Sequence, residues 1–205
     1  MVYDLSRLIV LTVLRLFFGF RREGREHEPA SGPVVVVCNH LSDLDPLVVG
    51  ASLRRRVNFM AKQELFVNPL VRWWATSCGA FPVRRGEPDR QALRTALAVL
   101  ARGGALVMFP EGTRGRDRTL RPPEPGAAML ALRTGAVILP IALLGTDEVL
   151  PRDAHRLRRA RVQMRIGPPL RPDGAGGPAG EPRHGRDAVE ALGRRYMAEI
   201  ARLLA

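Results

Sequence analysis

A chain of 205 residues, 46% of them hydrophobic, is long enough to bury one sizeable core. Its two cysteines, Cys38 and Cys78, are too few for a disulfide framework and have no metal-ligand spacing, which suits a reducing compartment. The formal net charge of +12, with Lys62 the single lysine among arginines, favours anionic partners; with 5% aromatic residues and no nucleic-acid motif, those are a membrane surface or anionic substrates and not nucleic acid.

Tyr3 to Phe20 is the most apolar segment. On a helix Asp4, Arg7, Leu11 and Arg15 share one narrow stripe, and most of the remainder is Leu, Ile, Val or Phe. Arg7 and Arg15 interrupt the run, so no uncharged stretch reaches the ~18 residues of a spanning helix. No small-residue cleavage site of a secretory leader follows it. A buried core helix is one reading. The preferred one is a helix lying in the membrane interface, its arginines at lipid headgroups, with Arg21, Arg22 and Arg25 adding attraction to an anionic leaflet.

From Val34 onward short apolar runs alternate with helical patterns. Strands are predicted near Val34–Cys38, Val57–Met60, Ala80–Val83, Ala105–Phe109, Val137–Leu143 and Val162–Ile166. Helices are predicted near Leu47–Arg55, Pro69–Cys78, Asp89–Arg102 and Gly126–Thr134, the third closed by Gly103-Gly104. Arg171 to Gly185 is rich in Gly and Pro and reads as a linker. Asp187 to Leu204 is an amphipathic helix with Val189, Leu192, Tyr196, Ile200 and Leu203 on one face. The pattern predicts an α/β fold, a largely parallel or mixed sheet flanked by helices, with 1–25 as a membrane-anchoring helix and 26–205 as one domain. Trp73-Trp74 is open between core packing and an aromatic anchor at a membrane interface.

Chemistry concentrates where the first long strand stops. Val34–Cys38 runs into Asn39-His40-Leu41-Ser42-Asp43-Leu44-Asp45-Pro46, so ionisable side chains stand beyond a strand end, where open α/β sheets bind ligands. His40 and Asp45 would diverge by roughly 140° on a continuous helix, so they meet only if the segment bends. A neutral imidazole accepts a proton near pH 7, and a carboxylate on its other nitrogen sets the tautomer. No protein nucleophile stands beside them, so the proton donor would be an external hydroxyl. Asp45 before Pro46 also reads as a helix N-cap, or as the third residue of a helix capped by Ser42, and His40 as a structural histidine. Asp43 and Ser42 read as turn formers. Phe109-Pro110-Glu111-Gly112-Thr113-Arg114 and Gly79 to Arg85 put glycines and phosphate-gripping arginines at two further strand ends.

His40 to Asp45 resembles the H-x4-D motif of the glycerolipid acyltransferases, in the lysophosphatidic acid acyltransferase branch. Gly79 to Arg85, Phe109 to Arg114, and Val137 to Gly145 with Leu139-Pro140-Ile141 resemble the family's second, third and fourth blocks, in that order, over roughly Gly32 to Pro169. The resemblance implies transfer of an acyl group from a thioester, on coenzyme A or acyl carrier protein, to the free hydroxyl of a lysophospholipid, most simply 1-acyl-glycerol-3-phosphate. It implies His40 as general base and Asp45 as its orienter. Arg85, Glu111, Gly112, Thr113 and Arg114 would belong to the acceptor's glycerol-phosphate site, and Lys62 would face the developing oxyanion. It implies no metal and no cofactor beyond the thioester cosubstrate, and a monotopic or peripheral place on the cytoplasmic face of the cell membrane. Arg84, where many relatives have an acid, and Glu124, near where relatives carry lysine, bear on acceptor identity. Alternatives are a same-family enzyme for another lysolipid or a glycolipid, a non-catalytic lipid or acyl-carrier binding protein, and a thioesterase-like hydrolase.

Overall fold

The Val34–Cys38 strand is buried along its whole length, which requires cover on both of its faces. It is β2 of a chain whose elements, in order, are α1 (Val2–Phe18), β1 (Arg21–Glu23), β2, α2 (Asp45–Ser52), β3 (Val57–Lys62), α3 (Pro69–Ser77), β4 (Ala80–Val83), α4 (Arg90–Ala101), β5 (Ala105–Met108), α5 (Gly126–Thr134), β6 (Val137–Leu144), α6 (Thr146–Val149), β7 (Gln163–Ile166) and α7 (Arg186–Leu204). The computed structural model describes residues 1–84, 89–113, 115, 119–152, 154, 156–172 and 185–205. Among these, seven strands form one sheet in the order β1-β7-β6-β2-β5-β3-β4. All neighbouring pairs are parallel except β6 with β7. The expected α/β fold with a mixed, mainly parallel sheet is the observed one.

Alternation along β2 assigns its side chains to two layers. Val34, Val36 and Cys38 join Leu14 and Phe18 of α1, Val48 of α2 and Leu53 just after it. Val35 and Val37 join Leu100 of α4, Ala131 of α5, and Tyr196 and Ile200 of α7 on the opposite face. Fully burying a side chain such as Ile200 or Leu106 stabilises by about 1.5–3 kcal/mol. The face of α7 read from the sequence is the buried one, since Leu192, Tyr196, Ile200 and Leu203 all point inward.

Two segments depart from expectation. Arg21–Glu23, expected as a basic tail to the first helix, is β1, paired parallel with β7, and Arg22 donates to the Ser52 carbonyl instead of facing lipid. Its three residues carry no apolar period because they lie on the sheet edge. Arg7 likewise does not reach outward. Its guanidinium donates to the carbonyls of Ala51 (3.0 Å) and Arg54 (3.2 Å), satisfying groups that the end of α2 leaves unpaired.

α1 is packed into the domain along one side. Tyr3, Leu14 and Phe18 are buried, and the Tyr3 hydroxyl donates to Gly50 O and accepts from Val57 N. Burial raises the Tyr3 phenol above its ordinary range, so it stays a donor. Its other side exposes Leu5, Leu8, Ile9, Leu16 and Phe17, each more than half accessible. No helix among the described residues is long and apolar enough to cross a membrane. Residues 173–184 of the expected linker lie outside the described residues.

Candidate active site

Three strand ends supply the site: β2, β5 and β3 lie side by side and parallel, so the segments leaving their C-terminal ends all open on one edge of the sheet. After Cys38, Asn39 extends the pairing with side-chain atoms. Its Nδ2 donates to Leu143 O (2.9 Å) and its Oδ1 accepts from Leu143 N (2.8 Å), holding the chain on β6 while the backbone turns away.

The next turn closes on Asp45. Its Oδ2 accepts from His40 Nδ1 (2.8 Å), Leu41 N (2.7 Å) and Ser42 N (2.8 Å). Asp45 is fully buried and His40 is 6% exposed. The bend that a continuous helix would forbid is this turn, with α2 starting at Asp45. Neither capping expectation holds: the N-cap is Leu44, and the Asp45 carboxylate reaches back to the turn. Ser42 instead donates its hydroxyl to Leu150 O and accepts from Leu44 N. With Nδ1 donating to a carboxylate, the lone pair of His40 stands on Nε2, ready for a proton.

The segment after β5 packs on the same histidine. The Phe109 ring stacks on the imidazole, centroids 4.1 Å apart and planes at 23°. Glu111, itself buried, accepts from His40 N (3.2 Å) and from Arg121 N (3.2 Å), and Gly115 N donates to His40 O (2.8 Å). Gly112 takes φ 70°, where a Cβ would also press on Glu124 Cγ at 3.3 Å. Thr113 accepts from Arg121 Nη1 (3.3 Å).

His40 lines a cavity of about 880 Å³ that also takes in Lys62, Thr113 and Arg152. Apolar groups including Val10, Leu47, Phe59 and Ala75 make the walls, and Tyr3, Ser6, Trp74 and Cys78 line it as well. Phe59, Met60, Ala61 and Lys62 of β3 line it on the sheet side, and Tyr3, Ser6, Arg7 and Val10 of α1 line it too. α1 is thus a wall of it. Of the tryptophan pair, Trp74 faces the cavity and donates to Ser6 Oγ (3.0 Å), and Trp73 is 58% exposed.

Of the residues expected at the site, His40, Asp45, Lys62, Glu111, Gly112 and Thr113 come together here. Arg85 and Arg114 lie outside the described residues. Burial first, then the charges of Asp45 and Glu111, push the Cys38 thiol well above its ordinary range, which disfavours its thiolate.

The acyltransferase family model matches residues 19–144. The chain belongs to the acyltransferase family. It is 34% identical over 158 residues to the chloroplastic 1-acyl-sn-glycerol-3-phosphate acyltransferase of Arabidopsis thaliana, covering 75% of this chain and 44% of that protein. It is 29% identical over 171 residues to the 1-acyl-sn-glycerol-3-phosphate acyltransferase of Bacillus subtilis, covering 82% of each. Among solved structures it resembles the 1-acyl-sn-glycerophosphate acyltransferase PlsC of Thermotoga maritima, with a TM-score of 0.75 and 28% identity over 97% of this chain and 79% of that one. The chain spans less than half the length of the plant relatives it matches.

Three residues of this acyltransferase site do not stand out in the sequence. Asn39 and Ser42 act through side-chain bonds to β6 and to Leu150, partners 104 and 108 positions away. Phe109 reads as the last residue of a buried strand, and only the register of β2 on β5 shows that its ring meets an imidazole.

Proposed function

We propose that the chain transfers an acyl group from a thioester to the free hydroxyl of 1-acyl-glycerol-3-phosphate, forming phosphatidic acid. The observation that carries the reading is the buried His40–Asp45 pair, 2.8 Å apart, with His40 on a cavity of largely apolar walls. The cavity suits the acyl chain of the donor and leaves its carbonyl beside His40. The names of the relatives supply the acceptor.

The acceptor hydroxyl attacks the thioester carbonyl while His40 Nε2 takes its proton, since an alcohol is too weak an acid to ionise first. General base assistance of this kind contributes ~10²–10⁴-fold. Asp45 stabilises the imidazolium that forms. Lys62, exposed at the end of β3 and lining the same cavity, is assigned the stabilisation of the tetrahedral oxyanion. Collapse breaks the carbon–sulfur bond, and the proton on His40 passes to the departing thiolate, which restores the base. Arg85 and Arg114 grip the acceptor phosphate. Coenzyme A and acyl carrier protein are both anionic donors suited to a chain of net charge +12.

The same reading seats the protein on the cytoplasmic face of the cell membrane. Besides the apolar outer face of α1, Leu70 and Trp73 are exposed on α3, which packs on α1. Val162 N bonds Phe18 O (3.0 Å), which places exposed Arg156, Arg158, Arg159 and Arg161 on the stretch of chain leading to the end of that helix. An apolar face flanked by arginines is a match for an anionic leaflet.

An acceptor panel tests the assignment. With one acyl thioester, lysophosphatidic acid should be acylated in preference to lysophosphatidylcholine, lysophosphatidylethanolamine and a glycolipid. Equal or better use of an acceptor lacking the phosphomonoester would refute the choice of acceptor.

A further inference from the structure

We propose that Arg152, which belongs to none of the four motif blocks, is a ligand of the acceptor's phosphate; the inference rests on the acyl-transfer reading above. The sheet brings the residue to the site. β6 runs parallel to β2 and pairs with it as far as Cys38 opposite Ile141, so the chain leaving β6 opens on the same edge as His40. Arg152 lies seven positions beyond Gly145, where the fourth block ends.

The segment that carries it is pinned to the turn that holds the general base. Just past the end of α6, Leu150 O accepts the Ser42 hydroxyl (2.9 Å), and Ser42 N donates to the same Asp45 oxygen that holds His40 Nδ1. Two residues extend at most ~7 Å, so the Arg152 backbone stays near that turn. The chain folds back directly afterwards: Ala154 N donates to Pro151 O (3.0 Å), and Arg158 N donates to Val149 O (2.8 Å). Arg152 is therefore presented from a short loop closed at its base, and its exposed side chain lines the cavity together with His40 and Thr113.

Chemistry then selects the ligand. Among the described residues the arginine and lysine side chains on the cavity lining are Arg7, Lys62 and Arg152. Arg7 donates to the carbonyls of Ala51 and Arg54, and Lys62 is assigned to the oxyanion, which leaves Arg152 for a second anion. Asp43 and Glu64 line the same cavity, so a phosphate entering it is held only against cations that oppose those carboxylates. A guanidinium has five N–H donors, enough to serve a protein acceptor and two phosphate oxygens at once. Distance chooses between the two substrates. In lysophosphatidic acid two carbons and one ester oxygen separate the reacting hydroxyl from phosphorus, so with the hydroxyl at His40 the phosphate falls among the residues around that histidine. The first phosphate of either donor lies behind the whole pantetheine arm, far from the thioester.

The experiment compares Arg152→Ala and Arg152→Gln with the unaltered chain, and with Arg194→Ala, which removes an exposed cation of α7 that does not line the cavity. Steady-state constants are measured for a short-chain, monomerically soluble lysophosphatidic acid, for its phosphate-free counterpart 1-acylglycerol, and for the thioester. Binding of the same lysophosphatidic acid without thioester is followed by its phosphorus NMR signal. Both Arg152 variants should raise its KM and its dissociation constant by ~10–100-fold. They should leave KM for the thioester, and kcat/KM for 1-acylglycerol, within about twofold. Arg194→Ala should change none of these. Arg152→Gln keeps most of the side-chain volume and serves if the alanine variant does not fold. A KM for the thioester raised about tenfold or more, with that for lysophosphatidic acid unchanged, would overturn the proposal in favour of a donor ligand. Equal losses with the two acceptors would overturn it in favour of support for the His40 turn. Should the unaltered chain transfer to neither acceptor, the acyl-transfer reading fails, and the titration still decides Arg152: weaker binding in its variants sustains the assignment, and unchanged binding overturns it.

Discussion

Asp45→Asn separates two jobs that the carboxylate performs at once. Three N–H donors converge on Oδ2, from His40, Leu41 and Ser42, and Oδ1 is buried without a partner. In the asparagine variant the amide oxygen must take the Oδ2 position, because an NH₂ there would face two main-chain N–H groups. The oxygen then still accepts from Nδ1, and the tautomer is kept. What is lost is the charge: a hydrogen bond to a charged group contributes about 1.5–3 kcal/mol and a neutral one about 0.5–1.5. The difference, roughly 1–1.5 kcal/mol, corresponds to about a 5–15-fold loss of kcat. The NH₂ falls where Oδ1 had no partner and should lower stability by about 1–3 kcal/mol. In serine proteases the same change costs about 10⁴ through the wrong tautomer. The assay is the initial rate of thiol release from an acyl thioester with lysophosphatidic acid present, alongside urea unfolding. A loss of 10³-fold or more for Asp45→Asn, equal to that of Asp45→Ala, would refute the claim that the Leu41 and Ser42 amides lock the oxygen.

The cavity and α1 each carry a prediction of their own. Ala80→Leu should narrow the cavity and move preference toward shorter acyl chains, at ~0.8 kcal/mol or about fourfold per methylene no longer accommodated, read from competition between thioesters of different length. An unchanged chain-length profile would mean that the acyl chain lies elsewhere. Replacing both Leu8 and Leu16 with Ser should weaken sedimentation with anionic vesicles by ~10-fold or more, since both are over 60% exposed and each apolar side chain contributes about 1.5–3 kcal/mol when buried. Unaltered binding would remove the outer face of α1 from the membrane contact.

The strands were legible because parallel, doubly covered strands are runs of apolar residues, as in Val34–Cys38 and Val137–Leu144. The dyad was legible through its motif, since spacing alone left Asp45 as a cap and His40 as a structural histidine equally open. What was not legible depends on contacts between distant segments. Arg7 and Arg22 look like any cation beside an apolar helix, and only the placement of α2 shows that their targets are the carbonyls of Ala51, Arg54 and Ser52. Trp73 and Trp74 differ by one position, about 100° on a helix, which is enough to send one outward and one into the cavity. Glu111 reads from its motif as part of a substrate loop; its bond to His40 N spans 71 positions and depends on the β2–β5 register.

The central claim is that His40 removes the proton from an acceptor hydroxyl, and His40→Ala tests it most directly. With radiolabelled acyl thioester and lysophosphatidic acid, the unaltered chain should form phosphatidic acid in step with thiol release. His40→Ala, with stability unchanged within about 1 kcal/mol, should lose at least ~10²-fold in product formation. Near-normal phosphatidic acid synthesis by a folded His40→Ala variant would contradict the account.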